Sequence, residues 1–225
     1  MKQYNGEKAI ISMTSWKARI NTVSKTLFSL IKQCPGFHIV LVLSEEEFPE
    51  KEKELPKNLM FFVNNNFIEI LWVYKNYKSF KKVLFTIDKY KNVPVISADD
   101  DCLYTCNYAE ELYNNWLKNK SSVITCERLN VNGWTISRGP TTLFAPNVFK
   151  QFDLKILDNM KEWLNDDAFY SALYKKYNIN VLGLNKRYNY GFIFHDEIHA
   201  LSKNENNRCW QNDMPTYFNF LNQYN

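Results

Sequence analysis

The sequence predicts an α/β protein: a mostly parallel central sheet flanked by helices, followed by an irregular C-terminal tail. Three observations carry that expectation. In the first half, strand-like and helix-like stretches alternate, a pattern that right-handed crossovers turn into a twisted parallel sheet. The stretch Phe37-His38-Ile39-Val40-Leu41-Val42-Leu43 is apolar enough to be covered on both faces, the habit of parallel strands between helices. The β-branched run Val93-Pro94-Val95-Ile96-Ser97-Ala98 ends abruptly in Asp99-Asp100-Asp101.

Taken in order, Ala9-Ile10-Ile11-Ser12-Met13 reads as the first strand and runs into the loop Thr14-Ser15-Trp16-Lys17-Ala18-Arg19. From Val23 to Gln33, Val23, Leu27, Leu30 and Ile31 share one helical face, and Pro35-Gly36 stops the helix. Phe37 to Leu43 is the second strand. Ser44 is then expected to cap a helix whose first turn holds Glu45-Glu46-Glu47, where carboxylates suit the helix dipole. Ile68 to Val73 is the third strand, and the basic segment Lys75 to Lys82 leads into a helix ending near Tyr90. The fourth strand and its acidic turn follow. Beyond them the pattern predicts a helix from Ala109 to Lys118, a short strand Ser122 to Thr125, and a loop from Asn130 to Pro140. Thr141 to Ala145 reads as a strand, Asn165 to Tyr177 as a helix, and Asn180 to Leu184 as a strand. The tail from Lys186 is rich in Asn and aromatics, and a long irregular tail on a compact domain is expected to be a functional lid.

Composition narrows the class. A length of 225 residues suits one domain with a substantial core, and 45% hydrophobic residues exclude a disordered chain. Only 6 Gly argue against repeats and linkers. The net charge of +4 arises from mixed signs, which fits an anionic small ligand or weak membrane attraction and no nucleic acid. No signal peptide and no apolar run of the ~20 residues a membrane span needs is evident, so a cytoplasmic location is expected. The odd set Cys34, Cys102, Cys106, Cys126 and Cys209 reads as free buried thiols in a reducing compartment. Neither GxGxxG nor GxxxxGK[ST] occurs, which removes the main support for a dinucleotide or P-loop site.

The acidic turn is the strongest chemical signal. At about 4 Å and an effective dielectric of about 20, each like-charged pair costs roughly 4 kcal/mol, so something positive should sit there. Ligands of open α/β sheets bind beyond the carboxyl ends of strands, where these carboxylates fall. Asp-x-Asp offers hard oxygen ligands suited to Mg2+ or Mn2+, with open positions completed by substrate phosphates. Asp166-Asp167 after Asn165 is a second acidic pair: an N-capped first turn accounts for one carboxylate, and a general base for an attacking hydroxyl is the functional alternative. Thr14, Ser15 and the Arg19 fork suit a nucleobase, ribose or diphosphate. Lys81 and Lys82 could neutralise phosphates or simply begin a solvated helix, and Trp134 and Trp163 could be sugar platforms or core. His195 and His199, four apart in the tail, are candidate metal ligands.

Four stretches resemble bacterial nucleotide-sugar glycosyltransferases of the GT-A (Rossmann-like) fold, most closely small inverting enzymes of capsule and lipooligosaccharide assembly. They are Ile11 to Ile20, which resembles the opening strand and donor loop; Ser79-Phe80-Lys81-Lys82, the Lys-bearing helix start; Ser97 to Asp101, the Asp-x-Asp turn; and Asn165-Asp166-Asp167, the turn that supplies the base. The family's Gly-rich acceptor loop is reduced here to Gly139 beside Pro140. The resemblance implies one domain over 1–225, with 1–104 binding the nucleotide sugar and 105–225 forming the acceptor half and lid. It also implies a donor, of UDP-sugar type, held by Thr14, Ser15, Arg19, Lys81, Lys82, Asp99 and Asp100, and Mn2+ or Mg2+ on Asp99 and Asp101, with His195 or His199 completing the site. Asp167, beside Asp166, would be the base toward a glycan or lipid-linked glycan acceptor, with peripheral contact at the inner face of the membrane. A metal-dependent phosphohydrolase or nucleotidyltransferase, or a non-catalytic carbohydrate-binding domain, would use the same residue types.

Overall fold

The computed structural model describes residues 4–33, 35–160, 165–184, 190–193 and 210–224. The expected parallel strands form one side of its seven-stranded sheet. Strands β1 (Ala9–Thr14), β2 (Phe37–Ser44), β3 (Glu69–Val73) and β4 (Val95–Ala98) run parallel, in the spatial order β3-β2-β1-β4. Their connections contain α1 (Val23–Ile31), α2 (Lys57–Asn64) and α3 (Lys81–Lys89). After β4 come β5 (Cys102–Tyr104), α4 (Tyr108–Lys118), β6 (Val123–Val131), β7 (Trp134–Phe144), α5 (Asp166–Lys176), β8 (Val181–Gly183), β9 (Tyr190–Ile193) and α6 (Trp210–Asn222). Strand β7 lies antiparallel between β4 and β6, β8 closes the edge parallel to β6, and β5 pairs with β9 in a small separate ladder.

Alternation along each strand divides the core in two. Ile11, Met13, Ile39, Leu41 and Ile96 face α1, α2 and α4, meeting Leu27, Leu59 and Leu112. Ile10, Val40, Val42 and Val95 face the other way, toward Val83 and Ile87 of α3, Phe169 and Leu173 of α5, and Met214 and Leu221 of α6. Both faces are apolar because both are covered, which is why β2 reads as an uninterrupted hydrophobic run.

Several elements depart from the sequence reading, each for a physical reason. Glu45, Glu46 and Glu47 form a turn rather than a helix, with the Ser44 hydroxyl donating to Glu47 Oε2 at 2.8 Å; the helix begins later, at Lys57, after Pro56. The stretch expected to be a loop between Asn130 and Pro140 belongs to the long hairpin β6-β7. Its turn is Asn132-Gly133, with φ of +50° and +78°, the backbone sign that a two-residue hairpin turn requires. Exposed polar residues Arg128 and Asn130 alternate with Leu129 and Val131 along this ribbon and hide it from a search for apolar runs. The tail carries α6, which packs against α5, and Trp134 edges onto its Phe218 at 5.7 Å. Of the cysteines expected to be buried, Cys102 and Cys126 are buried thiols, Cys106 is an exposed thiol, none of the three is in a disulfide, and Cys34 and Cys209 lie outside the described residues. Among the described residues no helix is long and apolar enough to cross a membrane.

At the amino ends of β2 and β3, opposite the acidic turn, Glu69 is buried and accepts from His38 Nε2 at 2.8 Å and Tyr90 Oη at 2.7 Å, and also pairs with Lys89. Burial alone would raise its pKa, but the three donors outweigh burial and hold it at about 2. A carboxylate held low stabilises the fold fully above its unfolded pKa near 4.5 and progressively less as pH falls toward 2. Urea melts of Glu69→Gln should therefore show a loss of about 3 kcal/mol at neutral pH and a weaker decline than the parent chain between pH 5 and 2.

Candidate active site

The register of the sheet builds the site. Ser12 pairs with Ser97 and Met13 with Ala98, so the loop after β1 and the acidic turn after β4 leave the carboxyl edge side by side. Asp100 turns inward. Its side chain is 2% exposed, accepts the Ser15 hydroxyl at 2.6 Å and Arg19 Nε at 3.2 Å, and also pairs with Arg19 Nη2. Arg19 Nη1 reaches Asp101 Oδ2 at 3.0 Å. The Thr26 hydroxyl lies 2.9 Å from the carbonyl oxygens of Asp100 and Cys102, tying the turn to α1. Thr14 follows the same logic with a neighbouring strand, its hydroxyl donating to the Val42 carbonyl at 2.7 Å.

Asp99 turns the other way. Its Oδ1 lies 2.6 Å from Lys82 Nζ, and its N–H donates to Tyr104 Oη at 2.7 Å. Lys82 Nζ is also 3.2 Å from Asp166 Oδ2, so one ammonium joins the acidic turn to the start of α5. Asn165 caps that helix, its side chain accepting from the N–H groups of Asp167 at 2.8 Å and Ala168 at 3.3 Å. Asp167 is half-buried beside Asp166. Lys81, one residue before Lys82, points elsewhere because consecutive helical residues diverge: its Nζ is 3.4 Å from Glu47 Oε2 and 3.1 Å from Asn76 Oδ1.

The electrostatics follow from burial. Burial pushes Asp100 up to about 6, partly countered by Arg19 and Ser15, with Asp101 and Asp99 adding to the rise. Burial would lower Arg19, but Asp100 and Asp101 more than reverse this. Lys82, buried, is likewise raised well above its ordinary value by Asp166 and Asp99 against the pull of burial. Lys81 is lowered by burial, which Glu47 only partly offsets.

The structure thus brings Ser15, Arg19, Asp100 and Asp101 into one cluster and Asp99, Lys82 and Asp166 into a second, the two joined through the backbone of the acidic turn, with Thr14, Lys81 and Asp167 beside them. His195, His199 and Trp163 lie outside the described residues. The positive charge that the carboxylates demand is supplied here by Arg19 and Lys82. Asp99 and Asp101 diverge onto these two cations, and among the described residues no group of His, Cys, Asp or Glu is arranged to hold a metal ion. Among the described residues Asp99 and Asp101 are thus taken up by two different side-chain cations, and no chemical step below passes through a metal ion. Tyr104, Thr26 and Asn76 carry no signal of these roles in the sequence, because each meets its partner at the site only through the fold.

Solved structures share the arrangement of the sheet and helices. S. aureus TarS 1–349 superposes with a TM-score of 0.55 at 15% identity, over 80% of this chain and 59% of that one. The chain has a glycosyltransferase fold. The Pyrobaculum calidifontis mannosyltransferase PcManGT, solved with GDP-Man and Mn2+, gives 0.51 at 10% identity over 80% of this chain and 55% of its own. The glycosyltransferase GlyE of Streptococcus pneumoniae TIGR4 gives 0.50 at 13% identity, over 82% and 47%. The chain therefore spans between 47% and 59% of the length of these structures. No family model and no curated protein sequence matches it.

Within this glycosyltransferase fold the Arg19–Asp100 pair is the fixed point of the carboxyl edge. Arg19→Met leaves Asp100 buried without its cation and should cost about 3–5 kcal/mol in urea melts near neutral pH. Because the isolated carboxyl can take up a proton, the penalty should shrink as pH falls below 6, the value near which Asp100 titrates in the parent chain.

Proposed function

We propose that the chain is a glycosyltransferase that moves a sugar from a nucleoside-diphosphate donor to a hydroxyl of a glycan or lipid-linked glycan acceptor. The observation that carries this reading is the Lys82 bridge. On a glycosyltransferase fold, one buried ammonium links the turn after β4 to the capped start of α5, the two places where donor and base chemistry would meet. Structures of TarS 1–349 with UDP and with UDP-GlcNAc, and of PcManGT with GDP-Man, support a nucleotide sugar as the donor class. A UDP-sugar is our first choice. In this reading residues 1–104 hold the donor, and 105–225 supply the acceptor side.

The reaction is a single in-line displacement at the anomeric carbon with inversion. Thr14, Ser15 and Arg19 line the donor loop, and Arg19 and Lys82 provide positive charge where negative charge builds on the departing diphosphate. Asp167 accepts the proton of the attacking hydroxyl from the opposite face while Asp166 stays bound to Lys82. Lys82 has two tasks: it fixes the distance between the leaving group and the base, and it offers a cation that the incoming diphosphate can share with Asp99.

The test is a screen of UDP- and GDP-sugars for nucleoside diphosphate release and for a new glycosidic bond, with and without acceptors and with and without Mn2+. A sugar on a new hydroxyl supports the reading, whereas inorganic phosphate or pyrophosphate as product overturns it. Asp167→Asn should lower the transfer rate by about 100-fold or more while leaving donor affinity within about twofold, measured by calorimetry. Lys82→Met should reduce both donor affinity and the transfer rate, and a folded Lys82→Met with undiminished turnover would remove the bridge from the mechanism.

A further inference from the structure

Helices α1 and α2 carry an exposed face that the candidate active site does not use. Each joins two neighbouring parallel strands, so the two lie side by side on the same face of the sheet. Asn58 clasps them together, its Nδ2 lying 2.9 Å from Ser24 Oγ. One turn further along each helix stand Phe28 and Phe61, 58% and 55% exposed, and Phe67, just past α2, is 39% exposed. The rings of Phe61 and Phe67 are 6.2 Å apart. Phenylalanine has no polar atom to repay such exposure, so a cluster of this kind marks a surface meant to be covered.

The charge around the cluster says by what. Lys25, Lys32 and Lys57 are all exposed on these two helices, and Lys32 Nζ sits 4.3 Å from the centroid of the Phe28 ring. Residues 21–33 and 56–67 contain no Asp or Glu. Of the carboxylates nearest in sequence, Glu52 and Glu54 are turned to Trp72 Nε1 and Lys17 Nζ, each at 3.0 Å, and Glu69 is buried against His38, Tyr90 and Lys89. Aromatic rings flanked by lysines and cleared of acids match one occupant.

We propose that this face docks the chain on an anionic lipid bilayer. The phenylalanines enter the boundary between headgroups and acyl chains, and the lysines at the same level meet the acidic headgroups. A second copy of the chain is the poorer match. A two-fold interface would set these lysines against their own counterparts, with no carboxylate in the patch to receive them. The proposal does not depend on what chemistry occurs at the carboxyl edge, so failure of the transfer reading leaves it standing and the reverse also holds.

Flotation of the full chain with phosphatidylcholine vesicles, with and without phosphatidylglycerol, tests it. Binding to the mixed vesicles that weakens with added salt, and little binding to phosphatidylcholine alone, is the expected result. Phe28→Ser/Phe61→Ser should lower the partition coefficient about tenfold or more, and Lys25→Gln/Lys32→Gln/Lys57→Gln should abolish the preference for phosphatidylglycerol. These positions are exposed, and urea melts that match the parent chain establish that the variants are folded. A chain that ignores phosphatidylglycerol vesicles, a double Phe variant that binds them as tightly as the parent, or a patch-dependent dimer in sedimentation velocity without lipid binding would each overturn the proposal.

Discussion

The carboxyl edge of this sheet depends on a balance of buried charge. Three consecutive carboxylates follow a buried strand, and an unscreened cluster of that kind would repel itself by several kcal/mol per pair. The chain resolves the repulsion by sending the side chains in different directions. Asp100 goes inward to Arg19 and Ser15, Asp101 to the other arm of the same guanidinium, and Asp99 across to Lys82. The planar fork of Arg19 suits this work, since it reaches two carboxylates at once in a geometry that a lysine could not reproduce.

What the sequence showed and what it hid have a common cause. Local periodicity exposes elements that are buried on a regular pattern, so β1, β2, β4 and α1 could be read directly. The β6-β7 ribbon was missed because half of it extends past the core, where polar alternation replaces an apolar run; Asn132-Gly133 was the signal that stood in plain sight. The helix from Lys57 was missed for a related reason: its stretch begins and ends in polar residues, and the acidic run before it looked like the better start.

The candidate site divides the same way. Residue types pointed to clustered acids with cations near them, because charge adjacent to a buried strand is unusual in itself. Partnership could not be read from spacing, since Lys82 and Asp99 are 17 positions apart and Arg19 and Asp100 are 81. The inference that the acids need a positive partner was sound chemistry, but it did not distinguish an external ion from the chain's own side chains. Lys81 and Lys82 illustrate the limit. Adjacent in sequence and alike in type, they serve different carboxylates because a helix turns about 100° per residue.

Burial ranks the ion pairs of the site by how readily a ligand could exchange them. Asp100 is 2% exposed, so losing Arg19 would strand a carboxylate that water cannot reach, at about 3–5 kcal/mol. Asp99 is 35% exposed and can be hydrated where it stands, so its pair with Lys82 is exchanged at less cost than the Arg19–Asp100 pair. In the proposed reaction an arriving diphosphate would bring more negative charge than the carboxylate it displaces and would draw Lys82 from Asp99, while Arg19 keeps the turn in place. Lys82 retains Asp166 throughout, so the cation can change partners at one end without releasing the helix that carries Asp167. Under the proposed transfer, a fixed guanidinium beside an exchangeable ammonium would let a charged donor be admitted and discharged without dismantling the edge of the sheet that receives it.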